Sequence, residues 1–155
     1  MKLKKCREAL GFLTLMAAVA CSRQGTDGSG GRVTTAGTIE VTARLVEIRG
    51  DLPDIPLYDY AFVFKYEVLK TSRGGPLPKF IYVAQYLPLK PRNGVADERS
   101  GPVGGDLEFF RAGDIHRLAL DFPAEDHYMG GLINRYFDAG VKEIYWAEWT
   151  NRVGG

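Results

Sequence analysis

The sequence predicts a mainly β domain: a small antiparallel barrel or sandwich of five to six strands, with one short helix before the last strand. Three observations carry that expectation. Apolar and polar residues alternate at the two-residue period of a strand in several short runs from Ile39 onward. Clusters of Gly and Pro separate those runs. The strand–helix–strand alternation that a parallel sheet requires does not occur.

In the first run Ile39, Val41, Ala43 and Leu45 alternate with Glu40, Thr42 and Arg44. The phase then slips: Val46 and Ile48 become the apolar positions, against Glu47 and Arg49. One extra residue in an alternating strand marks a β-bulge, which bends and coils it. Gly50-Asp51 ends the strand, and Asp51 to Asp59 is a proline-bearing connection. A second strand sets Tyr60, Phe62, Phe64, Tyr66 and Val68 on one face, with Lys65 and Glu67 beside Val63 on the other. After a Gly/Pro turn from Thr71, Lys79 to Leu87 is apolar on both faces around Gln85, as a central strand would be. Pro88 to Asp106 is a hydrophilic loop, long enough to be a mobile surface segment or a binding loop. Leu107 to Arg111 and Ile115 to Phe122 form one interrupted strand or two strands. Leu132, Ile133, Tyr136 and Phe137 fall at helical spacing, with Gly140 as the C-cap. Lys142 to Thr150 is the last strand.

The N-terminus reads as an address. Lys2, Lys4, Lys5 and Arg7 precede an uncharged apolar run from Ala9 to Ala20. Its length suits a signal peptide and falls short of the roughly 20 residues of a spanning helix. Ala18-Val19-Ala20-Cys21 resembles the lipobox of bacterial lipoprotein precursors, with Ala18 where leucine is usual. The resemblance implies a signal over residues 1–20, lipidation of Cys21 and a membrane anchor. Ser22 after the cysteine, rather than Asp, resembles the sorting signal of enteric bacteria for the periplasmic face of the outer membrane. Residues 21–37 then form the lipidated cysteine and a flexible Gly/Ser/Thr tether, reaching about 20–24 Å root-mean-square. Residues 38–153 make a single β-rich domain.

Removal of the signal, which carries four basic residues and Glu8, turns the net charge from +1 to about −2. No basic stripe remains for a phosphate backbone, so nucleic acid is not an expected partner. Cys6 leaves with the signal and Cys21 is consumed by lipid, which excludes disulfide, thiol-nucleophile and zinc–cysteine chemistry.

Two resemblances concern the domain. The stretches Val41 to Ile48, Phe64 to Lys70 with Gly74, and Gly113-Asp114 to Leu118 are similar to the opening pattern of netrin/tissue-inhibitor-class barrels. That resemblance implies an OB-like barrel, although the class cysteines are missing and the expected helix falls before the last strand rather than the fourth. The phrases YDYAFVFKYEVL, YLPLKPR, FRAGDIHRLAL and EIYWAEWTN resemble small uncharacterised bacterial envelope proteins associated with polysaccharide O-acetylation of the alginate type. This implies an accessory role in surface glycan modification, with no defined catalytic residues to carry over.

Both histidines lie in one acidic stretch, Gly113 to Gly131. Strand alternation turns His116 inward beside Leu118 and Leu120. His127 follows Pro123, where Glu125 and Asp126 have an ordinary helix-start explanation. His116 and His127 with Asp114 or Asp126 would suit zinc, but no ligand spacing draws them together. Ser72 and Ser100 sit outside any nucleophile-elbow pattern, and the glycines at 101, 104 and 105 lack the ending of a phosphate loop. The best binding feature is aromatic: Tyr145, Trp146 and Trp149 share one strand. Three residues apart, the two tryptophans should face opposite ways, which makes one of them core and the other a candidate contact for a sugar or protein. The sequence thus predicts a lipid-anchored envelope protein with a binding or assembly role, no enzyme activity and no cofactor. Its partners would be the membrane and an envelope protein or polysaccharide. The competing class is a small metal-dependent or acid/base hydrolase using His116 and His127.

Overall fold

The computed structural model describes residues 36–100 and 102–154; the expected signal, Cys21 and nearly all of the tether lie outside them. The described residues hold seven strands: β1 (Ile39–Glu47), β2 (Tyr60–Arg73), β3 (Phe80–Tyr86), β4 (Gly104–Gly105), β5 (Ile115–Asp121), β6 (Gly131–Ile133) and β7 (Ile144–Arg152).

Five of them close a barrel. β1 pairs antiparallel with both β2 and β5, and β3 bridges β2 on one side and β7 on the other. The β5–β7 pairing completes the ring. Counting only barrel strands, the order is 1-2-3-5-4-1. The third and fifth run parallel and every other pair antiparallel, which is the Greek-key arrangement of an OB-like barrel. Two-residue β4 adds to β7, and three-residue β6 adds to β2, both in parallel.

The bulge read from the phase slip is present. Leu45 pairs with Tyr66 and Glu47 with Lys65, so Val46 is the extra residue. It turns outward while Leu45 stays in the core. Coiling β1 in this way lets one strand serve two neighbours.

Side-chain alternation along β2 and β3 builds two apolar layers. Tyr60, Phe62, Phe64 and Tyr66 join Ile81, Val83, Leu118 and Leu120 inside the barrel. Ala61, Val63 and Ala84 face outward, small enough to seat Tyr86, Tyr128, Tyr136 and Trp146 above them. Tyr128 and Tyr136 come from the segment after β5, which folds over this wall. The both-faces-apolar pattern of β3 therefore does mark a central strand. Gly105, at φ +131°, has room for no side chain: a Cβ there would lie 1.9 Å from the Thr150 carbonyl oxygen.

Two expected elements differ. Leu107 to Arg111 is irregular rather than a strand; Phe110 from this segment packs on Phe64 at a barrel mouth. The helix around Leu132 to Phe137 is also absent. Leu132 and Ile133 lie in β6, where β2 satisfies their backbone, and Asn134 Oδ1 accepts the Tyr136 N–H. What remains is a single 3₁₀ turn, Phe137–Ala139, closed by left-handed Gly140 at φ +69° as the C-cap reading expects.

The tryptophans follow neither face of the simple alternation. Trp149 pairs with Ala119 and Ala147 with Leu120, so Glu148 is an extra residue. This second bulge restores the phase: Tyr145 and Ala147 point inward, Trp146 and Trp149 both outward. Trp146 is 1 % exposed, stacked on Tyr128 at 5.5 Å, whereas Trp149 is only partly buried. Trp146→Ala is expected to cost about 3–5 kcal/mol of unfolding free energy, and Trp149→Ala less than about half of that, as read from urea midpoints at unchanged slope.

Candidate functional site

The residues singled out by the sequence go to separate places. His116 lies at the start of β5, 0 % exposed, among Tyr66 and Phe110. Its Nδ1 lies 3.1 Å from the Tyr66 hydroxyl, and its Nε2 has no partner. Asp114 sits in the turn just before β5, 3.7 Å from Arg152, and its Oδ2 is buried without a partner. Asp126 ends an exposed 3₁₀ turn, Ala124–Asp126. His127 follows it, beside the far end of β5. Five residues of strand separate His116 from Asp121, about 16 Å at the usual rise. His127 adjoins Asp121, so the two histidines do not meet. Of the aromatic candidates, Tyr145 belongs to the inner core with Phe122 at 5.1 Å, Trp146 to the outer core, and Trp149 borders β4.

The barrel interior contains a second polar pair beside Tyr66–His116. Gln85 Nε2 donates to Thr150 Oγ1 at 3.1 Å, and the Thr150 hydroxyl can in turn donate to Gln85 Oε1 at 3.2 Å. Arg92 is buried nearby with no carboxylate partner. It donates to the carbonyls of Tyr86, Leu87 and Lys90 at 2.6–2.9 Å and lies over the Phe110 ring. Burial lowers its pKa to about 10. These groups are enclosed, and their arrangement holds the end of β3 and the following loop in place.

A different cluster is accessible. Asp121 ends β5, Glu148 is the bulged residue of β7, and His127 follows the 3₁₀ turn. One donor atom from each lies within 4.8 Å of the others. The carboxylates also clamp the start of β1. Asp121 Oδ1 accepts from the Thr38 N–H at 2.8 Å and the Thr38 hydroxyl at 2.6 Å; Glu148 Oε2 accepts from the Gly37 N–H at 2.7 Å. Gly37 can approach because it is left-handed and has no Cβ, which would fall 2.7 Å from the Leu120 carbonyl oxygen.

Burial and a hydrogen bond that its protonated form donates to Asp121 raise the Glu148 pKa. Burial pushes Asp121 the same way, but the two Thr38 bonds and Glu148 outweigh it and hold Asp121 below its ordinary value. Asp121 was visible in the acidic stretch around the histidines, but nothing local connects it to Glu148. Only the β5–β7 register, with Asp121 opposite Trp146, brings them together.

The class the fold defines is a closed OB-like barrel with an outer aromatic layer and a His–Asp–Glu cluster at its seam. No family model matches the chain, and no curated protein or solved structure shows a significant match to it.

His116 gives a sign-definite pH dependence. Burial is the main cause of its pKa falling to about 4; the Asp114 carboxylate opposes the shift and Arg152 adds to it. An unfolded histidine titrates near 6.5, so between about pH 6.5 and 4 the unfolded chain binds the extra proton. The stability that His116 contributes is complete above that window and is lost as pH falls through it, by about 3 kcal/mol. Urea unfolding at stepped pH should show this loss, and His116→Gln should flatten its slope.

Proposed function

We propose that the chain is a lipid-anchored protein of the bacterial cell envelope, held by Cys21 at the periplasmic face of the outer membrane. Its barrel serves as a non-enzymatic binding module for a surface polysaccharide, accessory to the modification of that polymer. The observation that carries the binding role is a groove of about 120 Å³ beside the β1–β2 connection, lined by Ile55, Tyr58, Tyr60, Leu89, Asp54 and Lys90. Tyr58 is 53 % exposed, and neighbouring Leu57 is 98 % exposed. The loop is held rather than loose: the Tyr60 hydroxyl donates to the Pro53 carbonyl at 2.6 Å, and Arg99 pairs with Asp59 at 2.6 Å.

Two features favour a glycan. An exposed tyrosine ring beside carboxylate and ammonium groups offers both a stacking face and hydrogen bonds to hydroxyls. In OB folds the connections between the first and second and between the fourth and fifth barrel strands flank the oligosaccharide-binding surface. Here those connections meet at Tyr58 and Gly131, where a glycine Cβ would lie 2.7 Å from the Tyr58 hydroxyl oxygen. The net charge of about −2 without the signal disfavours nucleic acid, the other ligand of such surfaces.

Titration with alginate oligosaccharides, with and without O-acetyl groups, tests the ligand. Tyr58→Ala should weaken binding about tenfold, and a wild-type chain that binds neither form refutes the glycan reading. Fractionation of a bacterial host tests the anchor: the wild type should stay with the membranes, and Cys21→Ser should move to the soluble fraction.

A further inference from the structure

We propose that Asp121, His127 and Glu148 bind one divalent transition-metal cation, with zinc the ion their donors suit best, at the seam where residues 36–38 enter the barrel. Three ligand atoms of two chemical kinds already lie within 4.8 Å of one another. Zinc held at 2.0–2.2 Å by nitrogen and oxygen ligands places those ligands about 3.3–3.5 Å apart. Side-chain rotation on the order of 1 Å closes the difference. All three side chains are partly exposed, so an ion can enter and water can complete a tetrahedral shell.

The donor set selects the ion. Carboxylates alone would suit calcium or magnesium, but an imidazole nitrogen shifts the preference to zinc and its first-row neighbours. Two carboxylates also neutralise a dication. Neither Asp121 Oδ2 nor Glu148 Oε1 is used to clamp β1, so an ion can bind while the Gly37 and Thr38 bonds persist. The bound ion would then join the end of β5, the turn after it, the β7 bulge and the β1 start. This inference does not depend on the glycan reading.

Zinc titration of the full chain by calorimetry tests it. The wild type should bind one zinc that His127→Ala binds at least about 100-fold more weakly. Glu148→Gln should reproduce the loss, and Asp126→Asn should leave binding unchanged. Cys6 and Cys21 are the same in every variant, so the difference isolates this site. His127 makes no bond to the β1 start, which keeps its variant informative if the carboxylate variants fail to fold. The proposal is overturned if the wild type binds no zinc below about 1 mM, or if His127→Ala binds it as tightly as the wild type.

Discussion

The structure depends on β1 being paired along both edges. Its nine residues meet β2 on one side and β5 on the other, and without that double pairing the other four barrel strands would form an open sheet. A flat strand cannot serve two neighbours that diverge around a cylinder. The extra residue Val46 on β1, and the register shifts that skip Ser72 and Leu69 on β2, supply the necessary coiling. Closure removes both sheet edges of the barrel, and the added β4 and β6 are too short to offer much new edge. At the beginning of β1 side chains assist the closure. There Asp121 and Glu148 take the Gly37 and Thr38 donors, while Arg73 donates to the Ala36 carbonyl from the β2 side.

A barrel of this size has more interior than aliphatic side chains fill. The sequence places large aromatics on alternate positions of β2 and completes the interior with polar groups that bond to one another. Tyr66 bonds to His116 and Gln85 to Thr150, so enclosure costs less than it would for isolated groups, although His116 Nε2 stays without a partner. His116 must be neutral to remain there, which is why its pKa falls. Arg92 is the costlier inclusion. It keeps its charge by donating to three carbonyls where the chain leaves β3, at Leu87, whose φ of +42° no ordinary strand or helix adopts. Substituting these carbonyl acceptors for water explains how a guanidinium is accommodated at an apolar barrel mouth.

Much of the fold was legible because two-residue periodicity reports burial directly. It located β1, β2, β3, β5 and β7, and the slip at Leu45-Val46 located a bulge. It failed where the backbone departed from that period without a signature. Glu148 interrupts β7 between residues that alternate normally, so parity sent Trp146 and Trp149 to opposite faces when the bulge turns both outward. Leu132 to Phe137 fit a helical period, yet an unsatisfied edge of β2 was available to Gly131–Ile133, and strand pairing over that edge prevailed. The seam cluster was half legible. His127 and Asp121 stood in one acidic stretch, but Glu148 reaches them through a pairing between strands that sequence spacing does not encode.

The connection between β5 and β7 links these observations. Over residues 122–143 it contributes His127 to the seam cluster, Tyr128 to the outer core and Gly131 to the seat of Tyr58. Tyr128 also donates to the Asp59 carbonyl at 3.0 Å, next to the groove. The segment has little regular structure of its own: one short strand and two 3₁₀ turns. Its conformation is therefore set by what it touches at each point, namely β1 through the cluster, the β2–β3–β7 wall through Tyr128 and Tyr136, and the β1–β2 connection through Tyr58. A segment held by separate contacts rather than by its own hydrogen-bond ladder depends on those contacts for its local stability. His127 and Tyr128 are adjacent in the chain. A side chain drawn toward the seam at one of them constrains the ring at the next, and that ring is stacked on Trp146 and bonded beside the groove. Any energetic coupling between seam and groove must then act equally in both directions.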